Sequence, residues 1–376
     1  MPPGMPPGAS PGLPGSLLGV LGDAPWPPMI TPRPRHDVHR PHALAGSVAL
    51  LLLLSVGGGG ACGWGGVDPE IAGGLLFEAE ALCSQGRLSE AQALLEGARE
   101  EAPVDYQVHR ELGYIAMRRG LIPGREFHFR DALAHLEQAS ELAPEDGRTH
   151  LLLGEAYQRL GNKDGARRSF ETAAEHAEEN AALVEGLVRL AMVRFELRDV
   201  DRAEAALARA IEIDPDSYQA LTWLSRVAYS RGNKEQAIEL AERALVIEPD
   251  YSDASFHLGT MLVRESRLEE AERALSWALE ISPDLYQVVF ELAQLYERLE
   301  RPDEALRLYR RTVSVHPGHI RANIALARLL LARGEATDFE ETERCLERVL
   351  TRNPSQAEAR GLLERLNRAR QQGGGE

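Results

Sequence analysis

Three cysteines in 376 residues, Cys62, Cys83 and Cys345, are too few and too scattered for a disulfide framework. Basic side chains are in deficit, with 42 lysines and arginines against 58 aspartates and glutamates and a net charge of −16. Such a surface repels phosphate backbones and gains nothing from counterion release, which argues against nucleic acid as a partner. HExxH, GxSxG, Walker and CxxC patterns are missing, and the histidines are scattered. The pair in HPGH, His316 and His319, has no third ligand in view. No enzyme, metal, cofactor or small-molecule substrate is therefore expected.

A long apolar run is missing too. A membrane-spanning helix needs about 20 apolar residues, whereas the unbroken stretch here runs from Val48 to Val56 and stops at four glycines. Upstream, MPPGMPPGASPGLPGS is Pro/Gly-rich sequence with nothing to bury. What fits is a secretory signal: Arg33, Arg35 and Arg40, then a leucine core at Leu50 to Leu54, then small residues ending at Ala61. Residues 1–42 read as the leader, with Met29 as an alternative start, 43–61 as the core and cleavage region, and 62–71 as a linker. Cys62 behind that core resembles the cleavage box of bacterial lipoproteins, whose cysteine receives diacylglycerol. Gly59 stands where that family carries an aliphatic residue, so ordinary cleavage after Ala61, an uncleaved anchor and no export stay open. Gly63 is not the aspartate of an inner-membrane retention signal, so the resemblance implies an outer membrane facing the periplasm. The leader holds three arginines and two aspartates, so the remainder carries −17.

Beyond Gly66 a fixed period takes over. Pro215, Pro249, Pro283 and Pro317 are each 34 residues apart and close runs such as ALARAIEIDP and LAERALVIEP. Pro103, Pro144 and Pro354 close similar runs. Between prolines, apolar residues recur at three- and four-residue steps, so each unit is predicted to be a pair of amphipathic helices. Small residues mark the close approaches: Gly113, Gly154, Ala191, Ser225, Gly259, Ala293 and Ala327 in first helices, Ala91, Ala132, Ala166, Ala203, Ala237, Ala271 and Ala305 in second helices. Leu112, Leu153, Leu190, Leu224, Leu258, Leu292 and Leu326 fill the space beside them, with Tyr157, Phe170, Tyr296 and Tyr309 as aromatic wedges. A hairpin of this kind covers its apolar faces only by stacking on neighbours.

This pattern resembles the tetratricopeptide repeat, best in HLLLGEAYQRLGNKDGARRSFETAAE. The resemblance implies an all-α, right-handed superhelical solenoid. Eight units are read at 72–105, 106–146, 147–183, 184–217, 218–251, 252–285, 286–319 and 320–354, with a capping helix over 355–371 and a tail over 372–376. Departures are Glu178 in place of a proline, extra residues around LIPGREF, and Thr342 in a small-residue slot. Cys83 and Cys345, in the first and last units, read as buried small hydrophobes.

In such a solenoid the first helices line a concave groove. Their residues not needed for internal packing are predicted to face it: Arg110, Tyr114, Met117, Met192, Phe195, Thr222, Arg226, Tyr229, Phe256, Thr260, Phe290, Gln294, Arg321, Ile324 and Arg328. Aromatic and arginine anchors dominate protein interfaces, so a partner's helix or extended segment is the expected occupant. For Phe195, Phe256 and Phe290, simple packing between units is the competing reading. The insertion from Met117 to Arg130 gathers Arg118, Arg119, Arg125 and Arg130 with Phe127 and Phe129, and reads as a docking loop or a solvated turn. The lysine and asparagine pairs with which family members grip a C-terminal carboxylate are not found. The whole reads as a non-catalytic scaffold, resembling pilotin-type assembly lipoproteins of the bacterial envelope, held to the membrane by lipid on Cys62. A cytoplasmic regulatory module, or an accessory subunit bringing substrate to an envelope enzyme, are the alternatives.

Overall fold

The structure is a computed structural model that describes residues 69–373 apart from 102, 103 and 123. The leader, the leucine core, Cys62 and Pro103 lie outside the described residues.

Helices pair in sequence order. The first four hairpins join α1 (Pro69–Ser84) to α2 (Leu88–Glu101), α3 (Tyr106–Gly120) to α4 (His128–Leu142), α5 (Gly147–Arg159) to α6 (Lys163–Glu175), and α7 (Asn180–Glu196) to α8 (Val200–Ile213). The next four join α9 (Tyr218–Ser230) to α10 (Lys234–Ile247), α11 (Ser252–Arg264) to α12 (Leu268–Ile281), α13 (Tyr286–Arg298) to α14 (Pro302–Val315), and α15 (Ile320–Arg333) to α16 (Phe339–Arg352). A last helix, α17 (Ala357–Gly373), lies on α15 and α16. The result is an all-α solenoid of tandem hairpins with a cap.

The prolines act through the residue in front of them. A proline ring excludes its predecessor from the helical region. Accordingly Asp214, Glu248, Ser282 and His316 end their helices with φ between −126° and −131° and ψ between 76° and 95°. In the third unit no proline follows α6, and its C-cap His176 sits at φ −108°, ψ 16°. The connection there, residues 176–179, has the same four-residue length as the proline turns, so α7 starts at Asn180, four residues ahead of the expected 184, and is correspondingly longer at 17 residues.

The proline turns also hold neighbouring units together, which periodicity alone does not reveal. Arg243 Nη2 donates to the Pro215 carbonyl at 2.6 Å, Trp277 Nε1 to Pro249 at 2.8 Å, and Arg311 Nη2 to Pro283 at 2.6 Å. Each donor lies 28 residues after its acceptor, so one second helix repeatedly ties down the exit of the one before.

The small-residue slots are where the helices touch. Every alanine and serine among them is buried, at 0–1% exposure. The three glycines are filled by a partner: a Cβ on Gly113 would come within 2.5 Å of Leu136, on Gly154 within 2.5 Å of Phe170, and on Gly259 within 2.6 Å of Leu275. Leu112, Leu153, Leu190, Leu224, Leu258, Leu292 and Leu326 are buried beside them. Phe170 and Tyr309 are fully enclosed, whereas Tyr157 and Tyr296 are half-buried. Thr342, the irregular slot, is also fully buried and returns its hydroxyl to the Asp338 carbonyl at 2.9 Å. Cys83 and Cys345 are buried free thiols, and burial raises the pKa of both.

First helices meet the first helices of the next unit from α1 through α13, and α15 meets α17, while among the described residues no two second helices make comparable contact. First helices are therefore the crowded side of each layer, and their outward residues share one continuous face.

Candidate functional site

Helical geometry says which first-helix residues reach that face. Successive residues turn by about 100°. With the small-residue slot pointing at the partner helix, the positions four after and three before it lie only about 40–60° away. Those side chains stay near the core. The positions one after and two before the slot turn about 100–160° away and look outward.

Burial follows this rule in part: two before the slot Glu111 and Ala325 are buried, and four after it Phe195 and Tyr229 are half-buried. One after the slot come Tyr114, Glu155, Met192, Arg226, Thr260, Gln294 and Arg328, none of which is buried. Three before it come Val188, Thr222, Phe290 and Ile324, all buried, with Arg110, Leu151 and Phe256 half-buried. Thr222, Phe290 and Ile324 are therefore corrections to the expected groove set: they pack inside the stack. Phe290, 4% exposed, lies against His319 at 4.4 Å and Tyr309 at 5.8 Å. Met117, four after its slot, is the fourth correction, 6% exposed in a cluster with Phe129, Leu136 and Leu153.

Sequence reasoning missed the outward positions two before the slot, among them Arg189, Trp223, His257 and Glu291, all half-buried. Their signal was the slot itself, counted backwards by two.

Several expected groove residues are engaged by neighbours. Arg110 is half-buried between Glu111 at 3.1 Å and Asp146 at 3.3 Å, and Asp146 also caps α5 by accepting the Thr149 amide at 2.9 Å. Tyr114 Oη accepts from Arg118 at 2.9 Å. Tyr229 Oη donates to Glu265 at 2.9 Å, and Lys234 holds the same carboxylate at 2.8 Å. Arg328 is exposed but tied to Glu297 at 2.6 Å. Arg321, also exposed, lies over Phe290 with its guanidinium carbon 5.0 Å from the ring centre, and reaches Gln294 Oε1 at 3.5 Å.

The middle of the face differs. Phe195 and Trp223, from adjacent first helices, meet edge to face with ring centres 6.4 Å apart. Arg226 lies over Trp223, its guanidinium carbon 3.8 Å from the ring centre. Met192 and Phe195 border this cluster as half-buried flanks of the fourth unit's core. On the other side Phe256 lies 5.5 Å from His257.

Burial, helped by the Arg226 charge, pushes the pKa of His257 from 6.5 down to about 3. The folded protein thus resists protonation that the unfolded chain accepts. His257 contributes stability in full above pH 6.5 and loses it as the pH falls from 6.5 towards 3. Between pH 7 and 5 the wild type is expected to lose about 1–2 kcal/mol more than a His257→Gln variant. Urea unfolding at the two pH values measures the difference, and parallel losses would refute it.

The HPGH turn has a structural job: His319 Nδ1 accepts the Ala322 amide at 3.0 Å and caps α15. His316 stacks on Tyr286 at 4.9 Å. Among the described residues no group of three or more His, Cys, Asp or Glu is placed to hold a metal ion. The insertion places Leu121, Ile122 and Phe127 in the open at 51%, 42% and 59% exposure, while Phe129, counted with that patch from sequence, is buried against Gly120.

Comparison with known proteins agrees with this architecture. Two profiles described as tetratricopeptide repeat match the sequence, one over residues 78–124 and 188–252, the other over 125–192 and 299–366. No curated protein sequence matches the chain. Among solved structures, the human IFIT1 dimer with m7Gppp-AAAA is similar at TM-score 0.58 and 19% identity, over 82% of this chain and 72% of that one. The APC/C hetero-tetramer Cut9-Hcn1 is similar at TM-score 0.56 and 18% identity, over 68% of this chain and 48% of that one, so this chain spans about half its length. At these identities the likeness is one of fold.

Proposed function

The chain belongs to the tetratricopeptide repeat family, and from that premise we propose that it is a non-catalytic scaffold whose first-helix face holds a segment of a partner protein. The observation that supports this is the outward line from Tyr114 to Arg328. It runs through consecutive units, is not buried at any of its seven positions among the described residues, and carries aromatic and arginine side chains at its centre. Rigid hairpins present this line already ordered, so a bound segment bears most of the ordering cost.

Photocrosslinking tests the reading. With p-benzoylphenylalanine placed at Thr260 or Gln294, adducts of defined mass are expected in cells, and a probe at the exposed second-helix residue Glu239 is expected to give none of them. Silence at both groove positions, or the same adducts from Glu239, would sink it.

The finer reading is an envelope lipoprotein, held through Cys62, that assists assembly of a membrane complex. Its support is the leucine core followed by Cys62. The alternative of a regulatory module without lipid asks nothing beyond the array itself. Among the described residues no helix is long and apolar enough to cross a membrane. Cys62→Ser separates the two: an anchored protein leaves the membrane fraction and stops incorporating labelled palmitate, whereas an unlipidated one behaves as before.

A further inference from the structure

Arg226 occupies the fourth of the seven outward positions, at the middle of the face. Three other arginines of the face are matched with carboxylates, Arg189 with Glu155 at 2.8 Å, Arg328 with Glu297 at 2.6 Å and Arg110 with Asp146 at 3.3 Å, while the exposed Arg321 reaches Gln294 at 3.5 Å. Among the described residues Arg226 forms no hydrogen bond and no ion pair, and Asp253 and Glu196 act on it only through space.

What holds it is aromatic. The guanidinium carbon is 3.8 Å from the centre of Trp223 and 5.9 Å from that of Phe195. Contact with the rings holds the guanidinium in place while leaving its N–H donors unused among the described residues, and a guanidinium with free donors can receive a carboxylate by two parallel hydrogen bonds. Half-buried and paired with no carboxylate among the described residues, Arg226 has lost hydration, and burial accordingly lowers its pKa. His257, on the next first helix, stays uncharged at neutral pH, so it adds no second cation.

The surroundings set the occupant's charge and shape. Asp253 and Glu196 beside the site, and the acidity of the chain as a whole, oppose a multiply charged group. Phe195 and the ring of Trp223 offer apolar surface next to the donors. We infer that Arg226, with the wall made by Trp223 and Phe195, is a subsite for a single carboxylate side chain flanked by an apolar one in the bound segment. The inference rests on the first-helix face being the binding face.

Selection from a phage library of random twelve-residue peptides on the purified full chain tests it. The wild type is expected to enrich peptides in which Asp or Glu stands next to a large apolar residue. A synthetic copy of an enriched peptide is expected to bind Arg226→Gln about tenfold more weakly, with an unchanged unfolding curve. Arg226→Lys, which keeps the charge but not the planar fork, is expected to recover only part of that loss. Enrichment with no preference for acidic residues, or equal affinity for Arg226→Gln, would overturn the subsite and leave the binding face standing. No enrichment, together with silent photocrosslinking at Thr260 and Gln294, would overturn both.

Discussion

Phe170→Ala is expected to destabilise the array by about 3–5 kcal/mol, and Gly154→Ala to restore part of that loss rather than add to it. The ring is fully buried, and it lies where the side chain of residue 154 would otherwise begin: a Cβ there would come within 2.5, 2.6 and 2.9 Å of three ring carbons. Alone, Gly154→Ala gains about 1 kcal/mol of helix propensity but forces the ring aside at a cost of about 1–3 kcal/mol. Once the ring is gone the added methyl group has room. The double variant is thus expected to be more stable than the sum of the single losses by about 1–3 kcal/mol. Urea unfolding of the four proteins measures the coupling. Additive losses would mean that the ring and the glycine do not share one space.

Removing α17 is the second large effect. Ala359, Leu362 and Leu366 are buried at 0–5% exposure, and the first two join the cluster that contains Leu326, Leu330, Leu346 and Val349. Ending the chain after Pro354 strips that cover. The two leucines alone account for about 3–6 kcal/mol of burial. In an array stabilised by nearest-neighbour interfaces the loss falls on the last units first. Amides of α15 and α16 are expected to lose protection from hydrogen exchange by a factor of about 100 or more, with α3 to α8 unchanged. A uniform loss along the chain would show that the array unfolds as one block.

Particular residues show how far the sequence carried. The slots, from Ala91 to Ala327, were legible because a residue pressed between two helices has to be small, and that demand repeats with the period. The leucines beside them and the terminal prolines were legible for the same reason. Glu178 marked the irregular unit, but the helix start at Asn180 depended on how the chain turns when no proline constrains His176. Thr342 broke the slot pattern in sequence, yet it is accommodated by an internal hydrogen bond that only the neighbouring turn supplies.

The outward face of the first helices was legible only in part. Tyr114, Met192, Arg226, Gln294 and Arg328 occupy the outward position that their spacing from the slots requires. Thr222, Phe290 and Ile324 share a repeat position that turns inward, and Met117 does too in its own unit. Trp223 and His257 were overlooked because a large apolar or titratable residue on an amphipathic helix looks like core until its angle to the slot is measured.

By itself the sequence determined the repeating unit, its two helices and the small residues between them, because these answer to local sterics and to a period that any one hairpin reproduces. Tertiary structure alone decided which outward residues are neutralised by the next unit and which are left open. Ion pairs such as Arg189 with Glu155, and the contact of Arg226 with Trp223, depend on distances of a few ångströms between side chains and fall off steeply with separation. Spacing along a chain specifies a face, but not those distances.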